Sequence, residues 1–298
     1  MYGDGRFVAN RNLQPLKSAA EQRRRIRAGE FVGPTAEIGL GWLQANLLII
    51  PAASALAFSA FCTRNRRACP VLDTTDPGDP RPLLAASDAD LRTDLPRYRV
   101  YEHGELVAEP TSIEQWWRDD LVAFLLGCSF TFDQALVDHG ISLRHIEQGK
   151  NVAMYVTGES CIPAGPVGGP LVVSMRPIAR SMVDDVSAIC ASFPLAHGAP
   201  IAAGSPERLG ISDLDRPDFG DAVDIRDDEE PVFWACGVTA ELAARSAGVD
   251  LFITHSPGHM FITDWPAEVA RTRGALVGDH LPSSPASVSA VDHPRVRP

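Results

Sequence analysis

Two stretches decide the fold: FLLGCSFTFDQALVDHGISL (124–143) and VFWACGVTAELAARSAGVDL (232–251). They match at Cys128/Cys236, Ala135/Ala243, Gly140/Gly248, Ile141/Val249 and Leu143/Leu251. In each, an apolar run breaks at a cysteine-bearing turn, a helical stretch follows, glycine closes it, and a second apolar run begins. A continuous apolar run suits a strand covered on both faces. Glycine just past a helix supplies the left-handed residue of a C-cap. The shared unit reads as strand–turn–helix–strand, a βαβ-like element used twice. The expected class is therefore α/β: a mixed, largely parallel sheet with helices on both faces, plus a smaller inserted α+β domain.

Working outward, 16–27 reads as a helix ended by Ala28-Gly29, and 52–64 as a second helix. Residues 43–50 suit a buried strand or a buried helix, since periodicity alone does not separate the two. Residues 98–107 read as a hairpin with His103-Gly104 at its turn. Residues 141–145 and 249–254 are the second strands of the two repeated units. Between the units, 151–156, 169–175 and 200–202 look like strands and 182–191 like a helix. The expected division is a discontinuous sheet domain (15–145 and 222–270), a smaller α+β domain (146–221), and loose termini (1–14 and 271–298).

The 298 residues carry a net charge of -11, from 27 basic and 38 acidic side chains. That balance argues against nucleic acid, which needs a basic footprint. The longest apolar stretch, 45–58, is broken by Asn46, Pro51 and Ser54 and is too short to span a bilayer. The first thirty residues lack the apolar core of a signal peptide. The 6 cysteines follow no repeating spacing and read as reduced thiols of a cytoplasmic protein. A homo-oligomer is left open.

In open α/β sheets ligands gather at the carboxyl ends of strands. Three turns are expected there: Gly127-Cys128-Ser129, Cys236-Gly237-Val238-Thr239, and the loop in THSPGHMFITD (254–264). Turns that open helices offer free N–H groups, so the expected ligand is a small carboxylate. His255 and His259 are four apart, but Pro257-Gly258 between them forbids one helical face. They are not a helical zinc pair and suit acid/base work better. Cys128, before a helix, is a candidate thiolate nucleophile. The other reading is a small buried residue in a tight turn. Arg144 and Arg176 could grip a carboxylate; Arg92 and Arg97 read as surface ion-pair residues. No metal site and no cofactor is expected.

Several segments together resemble the D-glutamate cyclase-like family, many of whose members carry only a hydro-lyase label. They are FLLGCSFTFDQAL (124–136), RHIEQGKNVAMY (144–155), CIPAG (161–165), GPLVVSMRPI (169–178), DFGD (218–221), PVFWACGVT (231–239) and THSPGHMFITD (254–264). The likeness runs from about Leu16 to Asp264. It implies an α/β fold of two intertwined domains. It also implies a reaction, closure of D-glutamate to 5-oxo-D-proline with loss of water. Members often carry arginine where this chain has Val156, and proline where it has Ala153.

On that basis His259 is the expected acid/base group, oriented by Asp264 or His255. Cys128 is the sharper, covalent variant. Ser129, Gly237 and Thr239 would offer turn donors, and Arg144 or Arg176 would hold the α-carboxylate. Two alternatives stand beside this reading. One is a metal- or iron–sulfur-dependent hydro-lyase with Cys128, Cys161 and Cys236 as ligands. The other is a non-catalytic binder of a small carboxylate.

Overall fold

The computed structural model describes residues 18–271. The expected loose arm at 1–14 and the tail from 272 lie outside them.

The chain opens with α1 (Ala19–Arg27), capped where Ser18 Oγ accepts the Glu21 N–H at 3.2 Å. Strand β1 (Trp42–Pro51) follows, so 43–50 is a strand, buried along nearly its whole length. Pro51 ends it and opens α2 (Ala52–Arg64). Next come β2 (Val71–Thr74), the hairpin β3 (Tyr98–Glu102) and β4 (Glu105–Ala108), β5 (Leu121–Gly127) and α3 (Phe130–Asp138). The hairpin turn holds His103 at φ 50° and Gly104 at φ 84°. Two positive φ values suit the right-handed twist of the flanking strands.

The short helix α4 (Arg144–Glu147) then leads to β6 (Ala153–Ser160), β7 (Pro170–Ala179), α5 (Val183–Ala191) and β8 (Ala202–Ala203). Last are β9 (Glu229–Ala235), α6 (Thr239–Ser246), β10 (Leu251–His255) and β11 (Phe261–Pro266). Among the described residues no helix is long and apolar enough to cross a membrane.

The strands form two sheets. The larger runs β2-β5-β1-β10-β3-β4, with β11 also on β1; the smaller runs β6-β7-β9-β8. Every pairing is antiparallel. The mixed α/β class holds, but the largely parallel sheet does not. Central strands of an antiparallel sheet covered on both faces are as uniformly apolar as parallel ones, so the run at 121–127 misled on direction.

Neither repeated unit is a βαβ element. After α3 the chain forms the α4 turn instead of the expected strand at 141–145. After α6 the chain does enter a strand, but β9 belongs to the small sheet and β10 to the large one.

The repeat is nonetheless real at the level of hydrogen bonds. Cys128 N–H donates to Gln44 O at 3.1 Å, and Cys236 N–H to Val172 O at 2.9 Å. Thr131 Oγ1 accepts from Gln44 N at 3.1 Å, and Thr239 Oγ1 from Val172 N at 3.0 Å. Each unit thus hooks its Cys-x-x-Thr turn onto a neighbouring strand, β1 in one sheet and β7 in the other. Each helix then sends an acid to the opposite sheet. Asp133 of α3 meets Arg176 of β7, and Glu241 of α6 accepts from Tyr101 of β3 at 2.7 Å. The two sheets interlock through these helices.

The sides of β1 divide the core. Leu43, Ala45, Leu47 and Ile49 pack with Phe132, Leu136, Val186 and Trp234. Leu48 and Ile50 pack with Phe58, Phe61, Ala240 and Ala244.

Candidate functional site

The three turns singled out in the sequence do come together, by a different route from the one expected. Cys128 and Phe130 from the first, Val238 from the second and Met260 from the third share one apolar cluster with Val152, Met154 and Val172. They meet because the two sheets interlock, not because strands run parallel.

The third turn is placed by its neighbours. Strand β1 pairs with β11 through Ala45 and with β10 from Leu48 onward. In the gap between these pairings, His255 Nδ1 takes the Leu47 N–H at 3.2 Å. His255 is buried, and burial pushes its pKa down to about 4. It is a neutral plug in the sheet, not an exposed acid/base group. At Gly258, φ +83°, an added Cβ would stand 2.5 Å from Asn151 Oδ1, and the Asn151 side chain donates to Pro257 O at 3.0 Å. Thr35 clasps the same turn: its N–H donates to Gly258 O at 2.8 Å and its Oγ1 accepts from Met260 N at 3.0 Å.

His259 is half-buried on this turn, and its Nδ1 sits 3.0 Å from Pro257 O. A carbonyl only accepts, so Nδ1 carries the hydrogen and Nε2 keeps its lone pair. Burial lowers the His259 pKa, and the Arg97 cation adds to the effect. Arg97 lies alongside because its carbonyl accepts the Ser256 N–H at 2.9 Å. Its guanidinium has no hydrogen-bond or ion-pair partner among the described residues, unlike Arg92, which grips Asp90.

Other expected site residues are engaged elsewhere. Asp264 lies on β11, its side chain 45% exposed, paired with Arg23 at 2.9 Å. The group that orients His259 is the Pro257 carbonyl. Arg144 gives its donors to Glu229 (2.6 Å), Glu147 (3.0 Å) and Asp224 O (3.0 Å). Arg176 gives its Nη2 to Asp133 and Ser129. Thr239 serves the β7 hook described above.

Cys128 does sit before a helix, and the Phe130 N–H favours its thiolate. Burial outweighs that and pushes the thiol up to about 12. The expected thiolate is therefore not supported. A charge in an apolar cluster costs more than one amide and a short helix return.

The first two turns are joined by a residue the sequence reading passed over. Asn46 on β1 donates to Gly127 O at 2.8 Å and to Leu126 O at 3.3 Å. Its amide lies where a Cβ on Gly237 would stand, 2.2 Å away. Gly237 is thus required for contact, not for φ. Asp133 and His145 were also missed. Among the described residues no three His, Cys, Asp or Glu side chains are arranged to hold a metal ion. Cys128, Cys161 and Cys236 do not form the ligand group that the metal-dependent alternative needs.

Comparison with known proteins places this architecture. A family model described as D-glutamate cyclase matches residues 122–264, which span all three turns. A protein of Rubrobacter xylanophilus named "Putative hydro-lyase" is 58% identical over 246 residues, covering 83% of this chain and 95% of its own. The chain belongs to this hydro-lyase family. A second member, from Stutzerimonas stutzeri, is 52% identical over 87% of this chain and 96% of its own. A third, YcsI of Bacillus subtilis, is 52% identical over 80% and 93% respectively. Among solved structures, a nitrogen repressor-like protein of Methanococcus jannaschii aligns at 11% identity with a TM-score of 0.35. That likeness carries no argument about this hydro-lyase.

Proposed function

We propose that this hydro-lyase closes D-glutamate to 5-oxo-D-proline with loss of water, without a redox cofactor. The observation that carries the reading is the convergence of the three turns on one apolar cluster, inside the segment matched by the D-glutamate cyclase model. At its rim stands His259, an imidazole both accessible and neutral near pH 7.

The chemistry needs two proton movements. The substrate ammonium must lose a proton before its nitrogen can attack the γ-carboxyl carbon. The departing oxygen must gain protons to leave as water. His259 Nε2 takes the first proton and returns it to the leaving oxygen; the nitrogen's second lost proton completes the water. Arg97, with no hydrogen-bond or ion-pair partner among the described residues, holds the α-carboxylate in place of Arg144 and Arg176. The Ser129 hydroxyl donates to the γ-carboxyl oxygen as charge builds there. Cys128 shapes the apolar wall.

The test is proton NMR of the purified protein with D-glutamate and, separately, L-glutamate. The expected result is 5-oxoproline from the D isomer alone. If neither isomer converts while D-glutamate raises the melting temperature, the binding-protein alternative takes its place. If activity requires a metal, found by metal analysis of anaerobically purified protein, the cofactor-free chemistry is wrong.

A further inference from the structure

Behind the first turn lies a fully buried polar group that the proposed chemistry does not use directly. Arg176 Nη2 donates to Asp133 Oδ1 at 2.9 Å and to Ser129 Oγ at 3.1 Å. The guanidinium lies against the neighbouring rings of Phe132 and Trp234, with centroids 5.2 and 5.4 Å away. On the other side of Asp133, His145 Nε2 stands 3.6 Å from Oδ2, and the His145 ring lies parallel to Phe130 at 6.1 Å.

Two features set this cluster apart from an ordinary buried ion pair. First, Asp133 Oδ2, His145 Nε2 and Arg176 Nε are buried and have no hydrogen-bond partner. Structural polar clusters usually spend such capacity, because an unpaired buried group is costly. Second, Ser129 occupies the N-cap position of α3 but makes no capping hydrogen bond. An N-cap serine normally turns its oxygen onto the helix amides. Here the oxygen accepts from Arg176, which leaves the O–H as a donor with no acceptor among the described residues.

We propose that Asp133, Arg176 and His145 form a positioning network that fixes the Ser129 hydroxyl as a hydrogen-bond donor to the substrate's reacting carboxyl group. This rests on the proposed cyclase chemistry. Only Ser129 touches substrate. Arg176 orients its oxygen and, as a cation, strengthens the O–H as a donor. Asp133 holds Arg176, and His145 packs behind Asp133 with its Nε2 3.6 Å from Oδ2, limiting where the carboxylate can move. No bond is made or broken within the network.

The test is a double-mutant cycle on D-glutamate turnover in the full chain, with melting temperature read in parallel. Ser129→Ala is expected to lower kcat roughly 10²-fold, with KM within about threefold, as for loss of an oxyanion donor. Ser129→Thr, which keeps the hydroxyl, should recover part of that loss. His145→Gln should lower kcat about tenfold when Ser129 is present and less than about twofold in the Ser129→Ala background, because it acts only through Ser129.

Equal losses in both backgrounds overturn the network. So does full activity in Ser129→Ala, or a Ser129→Thr no better than Ser129→Ala. The two Ser129 variants leave the buried ion pair intact, so they can still overturn the network even if His145→Gln does not fold. A wild-type protein that neither converts nor binds D-glutamate overturns the cyclase reading and the network's role in it together. An active wild type with independent losses overturns the network alone.

Discussion

Replacing Gly237 by alanine should couple strongly to a single side chain. The Cβ added at 237 would stand 2.2 Å from Asn46 Cγ and Nδ2 and 2.6 Å from Oδ1. Gly237 is not among the glycines at positive φ, so backbone strain contributes nothing. Asn46 cannot yield cheaply, because its amide holds Gly127 O at 2.8 Å and Leu126 O at 3.3 Å in a buried setting. Overpacking of this kind costs about 1–3 kcal/mol. Displacing the amide from two buried carbonyls adds about 1 kcal/mol each. The expected destabilisation is about 3–5 kcal/mol, or roughly 5–8 °C in melting temperature for a chain of this size.

Urea titration at pH 7 measures this directly, and the decisive comparison is the same substitution in an Asn46→Ala background. There the obstructing amide is gone, and the cost of Gly237→Ala should fall below about 1 kcal/mol, a coupling of at least about 2 kcal/mol. A Gly237→Ala protein that melts within a degree or two of wild type would refute the reasoning. So would an equal cost in both backgrounds, since the contact would then not be the cause.

Further outcomes are expected. His259→Ala should lower kcat by roughly 10²–10⁴. Because the His259 pKa lies below its ordinary value, the rising limb of kcat/KM against pH should fall below pH 6.5; a limb centred above pH 7 would count against His259 as the base. Cys128→Ser should stay within about threefold of wild-type turnover, and iodoacetamide should label the native thiol far more slowly than free cysteine; a hundredfold loss would reinstate the covalent route.

Stability should fall as pH drops from 6.5 to 4. Burial pushes both His197 and His255 down to about 4, so the unfolded chain binds more protons across that window. Each histidine contributes about 3 kcal/mol over the full range, lost on acidification and levelling off below pH 4. Urea midpoints that do not move between pH 7 and 5 would contradict this. Asp264→Asn should change stability by less than about 1 kcal/mol and leave kcat unchanged, since the Asp264 carboxylate is 45% exposed, pairs with Arg23 and not with His259, and the buried Arg23 keeps Asp88 and the Ile262 carbonyl as partners.

The sequence by itself determined the parts. It marked β5 and the β3–β4 hairpin by an apolar run and a His-Gly turn, and it left 43–50, the later β1, open between strand and helix. It marked the Cys-bearing turns and their duplication by side-chain identity at a constant spacing. It also identified the family, because the motifs are long and in order. These are local properties, set by burial period, turn chemistry and helix ends.

Strand direction was not local. An all-apolar strand is compatible with either direction, and only the pairing of β1 with β5, β10 and β11 settled it as antiparallel. Partner choice was not local either. Arg144 and Arg176 looked like free cations until Glu229 and Asp133, brought in from distant elements, were seen to occupy them. Asp264 stood five residues from His259 in the chain, yet it faces Arg23. Cys128 had the dipole expected of a reactive thiol, but the depth of its burial, which no spacing encodes, reversed the balance. Asn46 registered only as a break in an apolar run, and Arg97 only as a surface ion-pair residue. Their place in the site exists only because two interlocked sheets bring a strand interior and a loop against turns 80 or more residues away.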